Sequence, residues 1–359
     1  MPESGAKPNV PRLQRRALRA IEALTSPLLP SDYLELLNPL WSTRELRGRI
    51  ERIEPETADA SSVVIKPGYA WTGHRPGQYL RIGVDIQGVR HWRAYSITSE
   101  PGREDGCVCI TVKHVDEGKV SPYLVRRLRA GAIVSLGGVE GEFVLPDEPP
   151  EKLLFISAGS GITPIMSMLR SIEPRDTVLL HSARGPDDVI FGDELRALAA
   201  AHDGFSLHEH DTAREDRITP ARVAEFVPDW RERDAFASGP GDFLDALIEH
   251  WERHGVPERL HLERFQPKLT GEPGAGGTIA FLGSHTEVEA GGATPILVAG
   301  EQAGLELPFG CREGICHTCV GTLRSGRVRD LRNGEVGGQD GQQIRTCVNA
   351  AEGRVEIEL

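Results

Sequence analysis

The order of hydrophobic and polar residues divides the chain into segments of different character. Between residues 45 and 148, apolar and polar side chains alternate in short runs such as S-S-V-V-I-K (61–66) and Q-Y-L-R-I-G-V (78–84). Turns rich in Gly, Pro and Asp separate these runs. A period of two in several short runs predicts a small antiparallel β-barrel.

The middle of the chain, residues 149–266, follows another pattern. The apolar runs Leu153–Ile156 and Thr177–Leu180 are each followed by helical spacing of apolar residues. We expect the helix after the second run to begin near Asp187, with Phe191 on its inner face. Strands that alternate with helices predict an α/β domain with a parallel sheet.

The two ends of this core region differ from it. Residues 1–44 contain apolar positions at helical spacing beside several arginines, which predicts a basic amphipathic helix through Leu13, Ala17, Ile21 and Leu24. This helical extension either packs on the next domain or contacts a membrane surface or a membrane-bound partner. Residues 267–277 are rich in Gly and Pro and are expected to form a linker to a third domain, 278–359.

Charge and hydropathy exclude several classes of function. The net charge is −12 and the pI is about 5.5, whereas nucleic-acid binding depends on clustered Lys and Arg, so no nucleic-acid partner is expected. No apolar run is long enough to span a membrane, and the N-terminus lacks the apolar core of a secretory signal. We expect a cytoplasmic protein, with peripheral contact at the inner membrane face as the alternative.

Four of the six cysteines form one constellation with the spacing C-x4-C-x2-C followed by a distant cysteine. This is the ligand spacing of plant-type [2Fe-2S] clusters, and the neighbouring Gly310 and Gly314 provide the backbone freedom that a tight loop needs. A zinc site is the weaker alternative, because zinc cysteines usually come as paired C-x2-C knuckles. The predicted metal ligands are Cys311, Cys316, Cys319 and Cys347.

The tetrapeptide R-A-Y-S, residues 93–96, ends a predicted strand and contains three side chains that can contact a cofactor. Arg93 offers a planar fork of donors that suits a pyrophosphate. Tyr95 offers an aromatic face, and the Ser96 hydroxyl can meet a ring nitrogen.

Two Gly-containing segments each precede a predicted helix. In Gly118-Lys-Val-Ser-Pro, we expect Ser121 to be the N-cap of a helix that continues to Leu128. In A-G-S-G-I-T-P, we expect Thr163 to be the N-cap and Pro164 the first helical residue. Helix N-termini bind phosphate, although a capped helix without a ligand gives the same pattern.

Taken in order, R-A-Y-S, V-K-H-V, G-K-V-S, the G-x-G-x-T-P segment and the cysteine constellation resemble the ferredoxin-NADP reductase superfamily over nearly all of residues 45–359. The resemblance implies an antiparallel β-barrel that binds FAD (45–148), an α/β domain that binds NAD(P) (149–266) and an α+β, β-grasp plant-type ferredoxin domain (278–359). The expected cofactors are FAD, the [2Fe-2S] cluster and NADPH, with NADH possible, and the expected activity is that of an NAD(P)H-dependent oxidoreductase.

The family's motifs also imply individual roles. Tyr95 and Ser96 contact the flavin ring, and Ser238 stands where many members have the cysteine of Cys-Gly-Pro beside the nicotinamide. Glu263 and an aromatic residue lie near the flavin. Ser182 and Arg184 favour the 2′-phosphate of NADPH over NADH. The cofactor-binding residues implied are Arg93, Tyr95, Ser96, Lys113, Val115, Gly118, Lys119, Val120, Ser121, Gly159, Gly161, Thr163, Ser182, Arg184, Gly239, Pro240 and Phe265.

The sequence is compatible with more than one kind of electron acceptor. Ser26–Trp41 and G-C-R-E-G-I-C-H-T-C resemble actinobacterial reductases that serve membrane fatty-acyl desaturases, which makes an acyl desaturase or another terminal oxygenase the expected partner. The alternatives are a soluble aromatic-ring or phenylacetyl-CoA-type oxygenase, or a ferredoxin-like carrier or redox sensor that does not turn over.

Overall fold

In the part of the chain that the structure describes, the strands form three sheets that follow one another in sequence order. The computed structural model describes residues 35–116, 118–265, 273–305, 307–309, 314 and 317–359. The predicted amphipathic helix through Leu13 and Leu24 lies outside these residues. Within them, no helix combines the length and the apolar character needed to cross a membrane.

The first sheet is an antiparallel barrel, as the alternating pattern predicts. Its strands are β1 (Arg47–Pro55), β2 (Ala60–Pro67), β3 (Tyr79–Ile86), β4 (Val89–Ser96), β5 (Val108–Lys113) and β6 (Ile133–Glu140), in the order β4-β3-β6-β1-β2-β5. A bridge between Ile97 and Ile110 joins the two outer strands and closes the barrel. Alternate residues such as Val63, Ile65 and Leu80 point inward and are fully buried. One helix, α1 (Val120–Arg126), covers an end of this barrel.

The second sheet is parallel and five-stranded, which confirms the predicted α/β domain. Its strands are β7 (Lys152–Ala158), β8 (Asp176–Ala183), β9 (Phe205–Asp211), β10 (Asp234–Ser238) and β11 (Leu260–Glu263), in the order β11-β10-β7-β8-β9. The helices are α2 (Ile162–Leu169), α3 (Gly192–Ala201), α4 (Pro220–Phe226) and α5 (Gly241–Arg253). Separate apolar cores cover the two faces of the sheet.

The third sheet combines parallel and antiparallel pairs around one helix, as in the predicted β-grasp domain. Its strands are β12 (Gly274–Phe281), β13 (Thr286–Gly292), β14 (Val320–Asp330), β15 (Val336–Gly337), β16 (Gln343–Arg345) and β17 (Asn349–Glu358). The order is β13-β12-β17-β14-β15, with β16 paired to β14. Helix α6 (Ile296–Gln302) packs its buried residues Ile296 and Ala299 on this sheet.

Both predicted N-caps are wrong, because the two hydroxyl groups bond elsewhere. Helix α1 begins at Val120 and ends at Arg126, and the Ser121 hydroxyl accepts a hydrogen bond from the Val115 N–H at 3.1 Å. Helix α2 begins at Ile162, and the Thr163 hydroxyl donates to the Ser160 carbonyl at 2.9 Å. Each hydroxyl therefore stabilises the turn before the helix.

The helix expected near Asp187 begins later. A 3-10 turn occupies Pro186–Asp188, and α3 starts at Gly192 after Phe191, which has a left-handed backbone (φ 63°). Phe191 is nevertheless buried, as its place in the apolar pattern predicts.

The linker prediction is wrong for residues 274–277, which belong to β12. A Cβ on Gly277 would meet the Gly353 carbonyl oxygen at 1.9 Å, and one on Gly276 would meet the Ala290 oxygen at 2.3 Å. These glycines serve a bulged strand in which backbones approach closely, so a Gly-rich composition does not mark a flexible connection here.

The first two domains share polar and apolar contacts. The Ser167 hydroxyl on α2 donates to the Ser99 carbonyl at 2.8 Å, and Arg170 donates to the Thr98 carbonyl at 2.6 Å. Phe143, which follows the last strand of the barrel, packs edge-on against Phe236 of β10. The barrel and the parallel sheet are thus joined along one side.

Candidate active site

One cavity of about 740 Å³ receives side chains from all three domains. This volume is in the range of small-molecule and cofactor sites. Its lining residues are Tyr79, Arg93, Ala94, Tyr95, Ser96, Thr111, Lys113, His114, Val115, Gly118, Lys119, Val120, Ser121, Ser160, Thr163, Glu263, Arg264, Phe265 and Phe309. The structure therefore brings together the two motifs of the barrel, part of the Gly-rich turn and the segment after β11.

The R-A-Y-S residues enter the cavity because β4 ends there. Ser96 is paired with Tyr79 of β3 and is buried, at 6% exposure. The Arg93 guanidinium donates to the Trp92 carbonyl at 2.8 Å, which uses one of its five N–H donors. The remaining donors are available to a ligand in the cavity.

The loop before α1 also lines the cavity. Gly118 N–H donates to the Val115 carbonyl at 2.9 Å, and the Ser121 hydroxyl closes the same loop. A Cβ on Gly118 would lie 3.0 Å from the Ser121 oxygen and 3.1 Å from the Val115 oxygen, so glycine keeps this turn tight. Val115 itself is 60% exposed.

The cavity matches the chemistry of a flavin dinucleotide. Arg93 and Lys119 supply positive charge for a diphosphate, while Tyr95 and Phe265 supply aromatic surface for a flat ring. Bound FAD supplies a ring that accepts hydride and releases single electrons. The residues present fit this group.

Glu263 is the acidic residue of the cavity with a strongly shifted pKa. It ends β11 beside Ser238, and burial raises the pKa of its carboxyl group to about 7. Near neutral pH a substantial share of this group is protonated, so it can donate as well as accept a hydrogen bond. Tyr79 donates to Glu140 at 3.2 Å, and burial raises the pKa of its phenol.

The predicted nicotinamide-site residues gather at the carboxyl ends of β7 and β10. These adjacent strands flank the point where the strand order reverses, which is where open α/β sheets bind ligands. A Cβ on Gly161 would meet the Ser238 carbonyl oxygen at 2.1 Å, so this glycine lets the two strand ends meet. Gly159, Gly239 and Pro240 belong to the same two turns.

Buried polar side chains lie in register across this edge. Ser238, Ser157 and His181 occupy paired positions on β10, β7 and β8. Ser157 Oγ and His181 Nδ1 are 2.8 Å apart, and burial lowers the pKa of His181 to about 4, so this ring is neutral at pH 7. Ser238 is 1% exposed, and its hydroxyl has no hydrogen-bond partner among the described residues.

The two predicted phosphate readers differ in their surroundings. Ser182 lies within β8 and is 4% exposed, whereas the Arg184 side chain is 70% exposed. Arg184 forms ion pairs with Asp188 at 3.1 Å and with Asp59 of the barrel at 3.5 Å. Lys113 reaches the same two carboxylates, so this charged cluster connects the first two domains.

Two of the four predicted metal ligands lie together in the third domain. Cys319 and Cys347 are 1% and 5% exposed, with their sulfur atoms 3.1 Å apart. The Thr346 hydroxyl donates to the Cys319 carbonyl at 2.8 Å and ties the two segments together. This buried pair of thiols fits half of a [2Fe-2S] ligand set. Cys311 and Cys316 lie outside the described residues.

Sequence patterns missed several lining residues. Tyr79 of β3 and Thr111 of β5 both sit in ordinary strand patterns. Phe309 lies two residues before the first cysteine of the constellation, but its neighbours in the barrel are far away along the chain. No local signal could have identified these contacts.

Comparison with protein families divides the chain in the same order. Residues 63–145 match the oxidoreductase FAD-binding domain, residues 155–245 match the oxidoreductase NAD-binding domain, and residues 279–352 match the 2Fe-2S iron-sulfur cluster binding domain. FAD, a pyridine nucleotide and a [2Fe-2S] cluster are therefore the cofactors of this architecture.

Individual relatives extend over most of the chain. An NADPH oxidoreductase of Mycobacterium tuberculosis is 48% identical over 351 residues, which cover 96% of this chain and 92% of that protein. A glycine betaine monooxygenase reductase subunit of Pseudomonas aeruginosa is 32% identical over 318 residues, covering 79% and 87% of the two chains. The solved structure of phthalate dioxygenase reductase shares the fold, with a TM-score of 0.56 and 22% identity over 87% of this chain and 97% of that one. The chain belongs to the ferredoxin-NADP reductase superfamily, as a three-domain NAD(P)H-dependent oxidoreductase with flavin and plant-type [2Fe-2S] domains.

Proposed function

We propose that this protein takes reducing equivalents from NADPH at the cavity between its domains and delivers single electrons, through its own cluster, to a separate terminal oxygenase. The observation that carries this proposal is that one cavity is lined by the barrel, by the Gly-rich turn of the parallel sheet and by Phe309 of the cysteine-bearing domain. The nicotinamide site, the flavin site and the cluster domain meet at this cavity. This arrangement supports electron transfer within the chain.

The chain's own residues bind and orient in this proposal. Arg93, Lys119 and Gly118 hold the diphosphate, while Tyr95 and Ser96 orient the flavin ring. Thr163 and the turns containing Gly159, Gly161, Ser238, Gly239 and Pro240 position the nicotinamide beside that ring, and Phe265 covers it. Hydride transfer needs no acid-base triad, so the protein's contribution is geometry and electrostatics.

We further propose that Arg184 favours NADPH over NADH. Its side chain is exposed at the end of β8, where the adenosine ribose binds in open α/β sheets. A guanidinium suits the extra phosphate, whereas Asp188 and Asp59 hold it when no phosphate is present.

Two classes of protein are candidates for the electron acceptor. The name of the Pseudomonas aeruginosa relative, a monooxygenase reductase subunit, supports an oxygenase partner. A membrane fatty-acyl desaturase is the second candidate, favoured by the resemblance of Ser26–Trp41 to desaturase reductases and by the exposure of Leu36 (77%) and Leu37 (78%) within that segment.

A spectrum of the purified protein before and after anaerobic addition of NADPH tests the core of the proposal. We expect flavin and iron-sulfur absorbance that both bleach. A protein without flavin absorbance, or one that NADPH does not reduce, would restore the carrier or sensor interpretation. Reconstitution with a soluble oxygenase and with a membrane desaturase, scored as NADPH oxidation coupled to product, separates the acceptors.

A further inference from the structure

Phe309 is in contact with two parts of the molecule that have different cofactors. On one side it packs against a small buried core that contains Leu297, Cys319, Cys347 and Val348. On the other side it lines the cavity formed by the barrel. Among the residues of the third domain that the structure describes, Phe309 is the one that lines this cavity.

The barrel presents two cations to the Phe309 ring. The Arg93 guanidinium carbon lies 5.9 Å from the ring centroid, and the Lys119 ammonium nitrogen lies 5.6 Å from it. Both distances are within the range of cation–π attraction. Among the residues that the structure describes, neither cation forms an ion pair, so the negative face of the ring offsets part of their mutual repulsion.

The contact is compatible with cofactor binding by the same cations. A guanidinium directs its N–H donors within its own plane, so a ring near this group leaves donors for a diphosphate. The same two residues can therefore bind the flavin diphosphate and hold the third domain.

We propose that Phe309 is a positioning residue for electron transfer from flavin to cluster: it docks the cysteine-bearing domain on Arg93 and Lys119 and so holds Cys319 and Cys347 close to the flavin. This proposal deepens the proposed function and rests on it. In each transfer the reduced flavin is oxidised by one electron and the cluster is reduced by that electron, and no bond of Phe309 forms or breaks. Two transfers use the two electrons of one hydride.

The physical reason for a dedicated contact is the steep dependence of electron transfer on distance. A domain that moves away from the flavin pocket transfers electrons slowly, whereas one held by a partly buried aromatic ring is pre-organised for transfer. Weak cation–π contacts at a partly exposed site also permit release, which the same domain needs in order to meet an acceptor.

The test compares F309A, F309L and F309W with the wild-type protein, at matched flavin, iron and sulfide content. After rapid anaerobic mixing with NADPH, flavin and cluster bleaching are followed separately. We expect F309A and F309L to slow cluster reduction about tenfold or more relative to flavin reduction, because both lack the π-face. F309W, which restores that face, should stay within about threefold of wild type.

A second readout is independent of turnover. Hydrogen exchange of the amides at 118–121 should accelerate in F309A and F309L, because the contact between the Phe309 ring and Lys119 no longer restrains this loop. L282A removes another exposed apolar side chain of the same domain, 37% exposed and outside the cavity lining, and should change neither measurement. If F309A does not fold, F309L keeps the apolar packing and carries the test.

Cluster reduction at the wild-type rate in F309L, or an equal slowing of flavin and cluster reduction, would overturn the role of Phe309. If NADPH fails to reduce the cluster of the wild-type protein, the proposed function itself fails. The two failures are thus distinguishable.

Discussion

At the residue scale, the surroundings of a side chain decide what its chemical type can do. Arg184 and Glu263 both lie at carboxyl ends of strands in the parallel sheet, yet the first is 70% exposed and the second is largely enclosed by the cavity. The exposed arginine suits recognition of a charged group from solvent. The enclosed carboxyl group instead responds to pH.

Replacement of Arg184 by alanine tests its proposed role as phosphate reader. We expect the Kd for NADPH to rise about 10- to 100-fold, because a charge-assisted hydrogen bond to the phosphate is lost. The Kd for NADH should stay the same. Binding is measured by calorimetry with both nucleotides. R214A removes another arginine near this edge, 82% exposed, and serves as the control. An unchanged ratio of the two constants in R184A would contradict the assignment.

Replacement of Glu263 by glutamine should change how stability depends on pH. Burial raises the pKa of Glu263 from 4.5 to about 7 in the folded protein, so the folded state binds the proton more tightly than the unfolded chain does. This favourable contribution is complete below pH 4.5 and is lost as pH rises to about 7.

In E263Q we therefore expect the free energy of unfolding to fall less between pH 5 and pH 7 than it does in the wild type, by about 1–3 kcal/mol, and the thermal midpoint to fall less accordingly. Thermal unfolding followed by circular dichroism over this pH range provides the measurement. The exposed Glu258 gives the matched variant E258Q, which should behave as the wild type. Parallel pH profiles of E263Q and wild type would show that Glu263 is not buried in this way.

At the scale of elements, the close pairing of strands in the third domain depends on glycine. Gly277 on β12 faces the Gly353 carbonyl of β17, and the two strands run parallel through the centre of the sheet. A backbone atom cannot move aside as a flexible side chain can, so any Cβ here separates the strands.

We expect G277A to destabilise the third domain by about 1–3 kcal/mol, the usual cost of overpacking. G337A is the control, because a Cβ there would have no atom within 4 Å. Denaturant unfolding, followed through the visible absorbance of the cluster, compares the two. Equal midpoints would mean that β12 and β17 are not as close as the structure indicates.

At the scale of the whole molecule, function depends on the contacts between domains. The barrel and the parallel sheet share hydrogen bonds, an apolar core and the Lys113–Asp188 ion pair. The third domain reaches the cavity through Phe309. In the proposed function, hydride therefore enters at one domain and electrons leave from another.

Replacement of Cys347 by serine tests the direction of this path. We expect loss of cluster absorbance and of electron delivery to the acceptor, because a plant-type cluster needs all four thiolates. Reduction of a dye that accepts electrons from flavin should persist. C107S removes a half-buried cysteine of the barrel and should keep both activities. Full electron delivery by C347S would refute transfer through the cluster.

Much of the site could be predicted from the sequence, because cofactor binding requires particular residues at short spacings. The cysteine constellation, R-A-Y-S and G-K-V-S are local patterns, and eleven predicted cofactor-binding residues line the cavity: Arg93, Tyr95, Ser96, Lys113, Val115, Gly118, Lys119, Val120, Ser121, Thr163 and Phe265. Alternation of apolar residues predicted the barrel, since a strand that is buried on one face needs that period.

The remaining features were decided by tertiary contacts. Whether Ser121 caps a helix or bonds Val115, and whether the glycines at 274–277 form a linker or a bulged strand, depends on which atoms approach from elsewhere in the fold. The pKa of Glu263 and the contact of Phe309 with Arg93 and Lys119 likewise arise between distant segments. Local pattern specifies backbone periodicity and ligand spacing, whereas burial, charge and docking exist only once the domains have packed together.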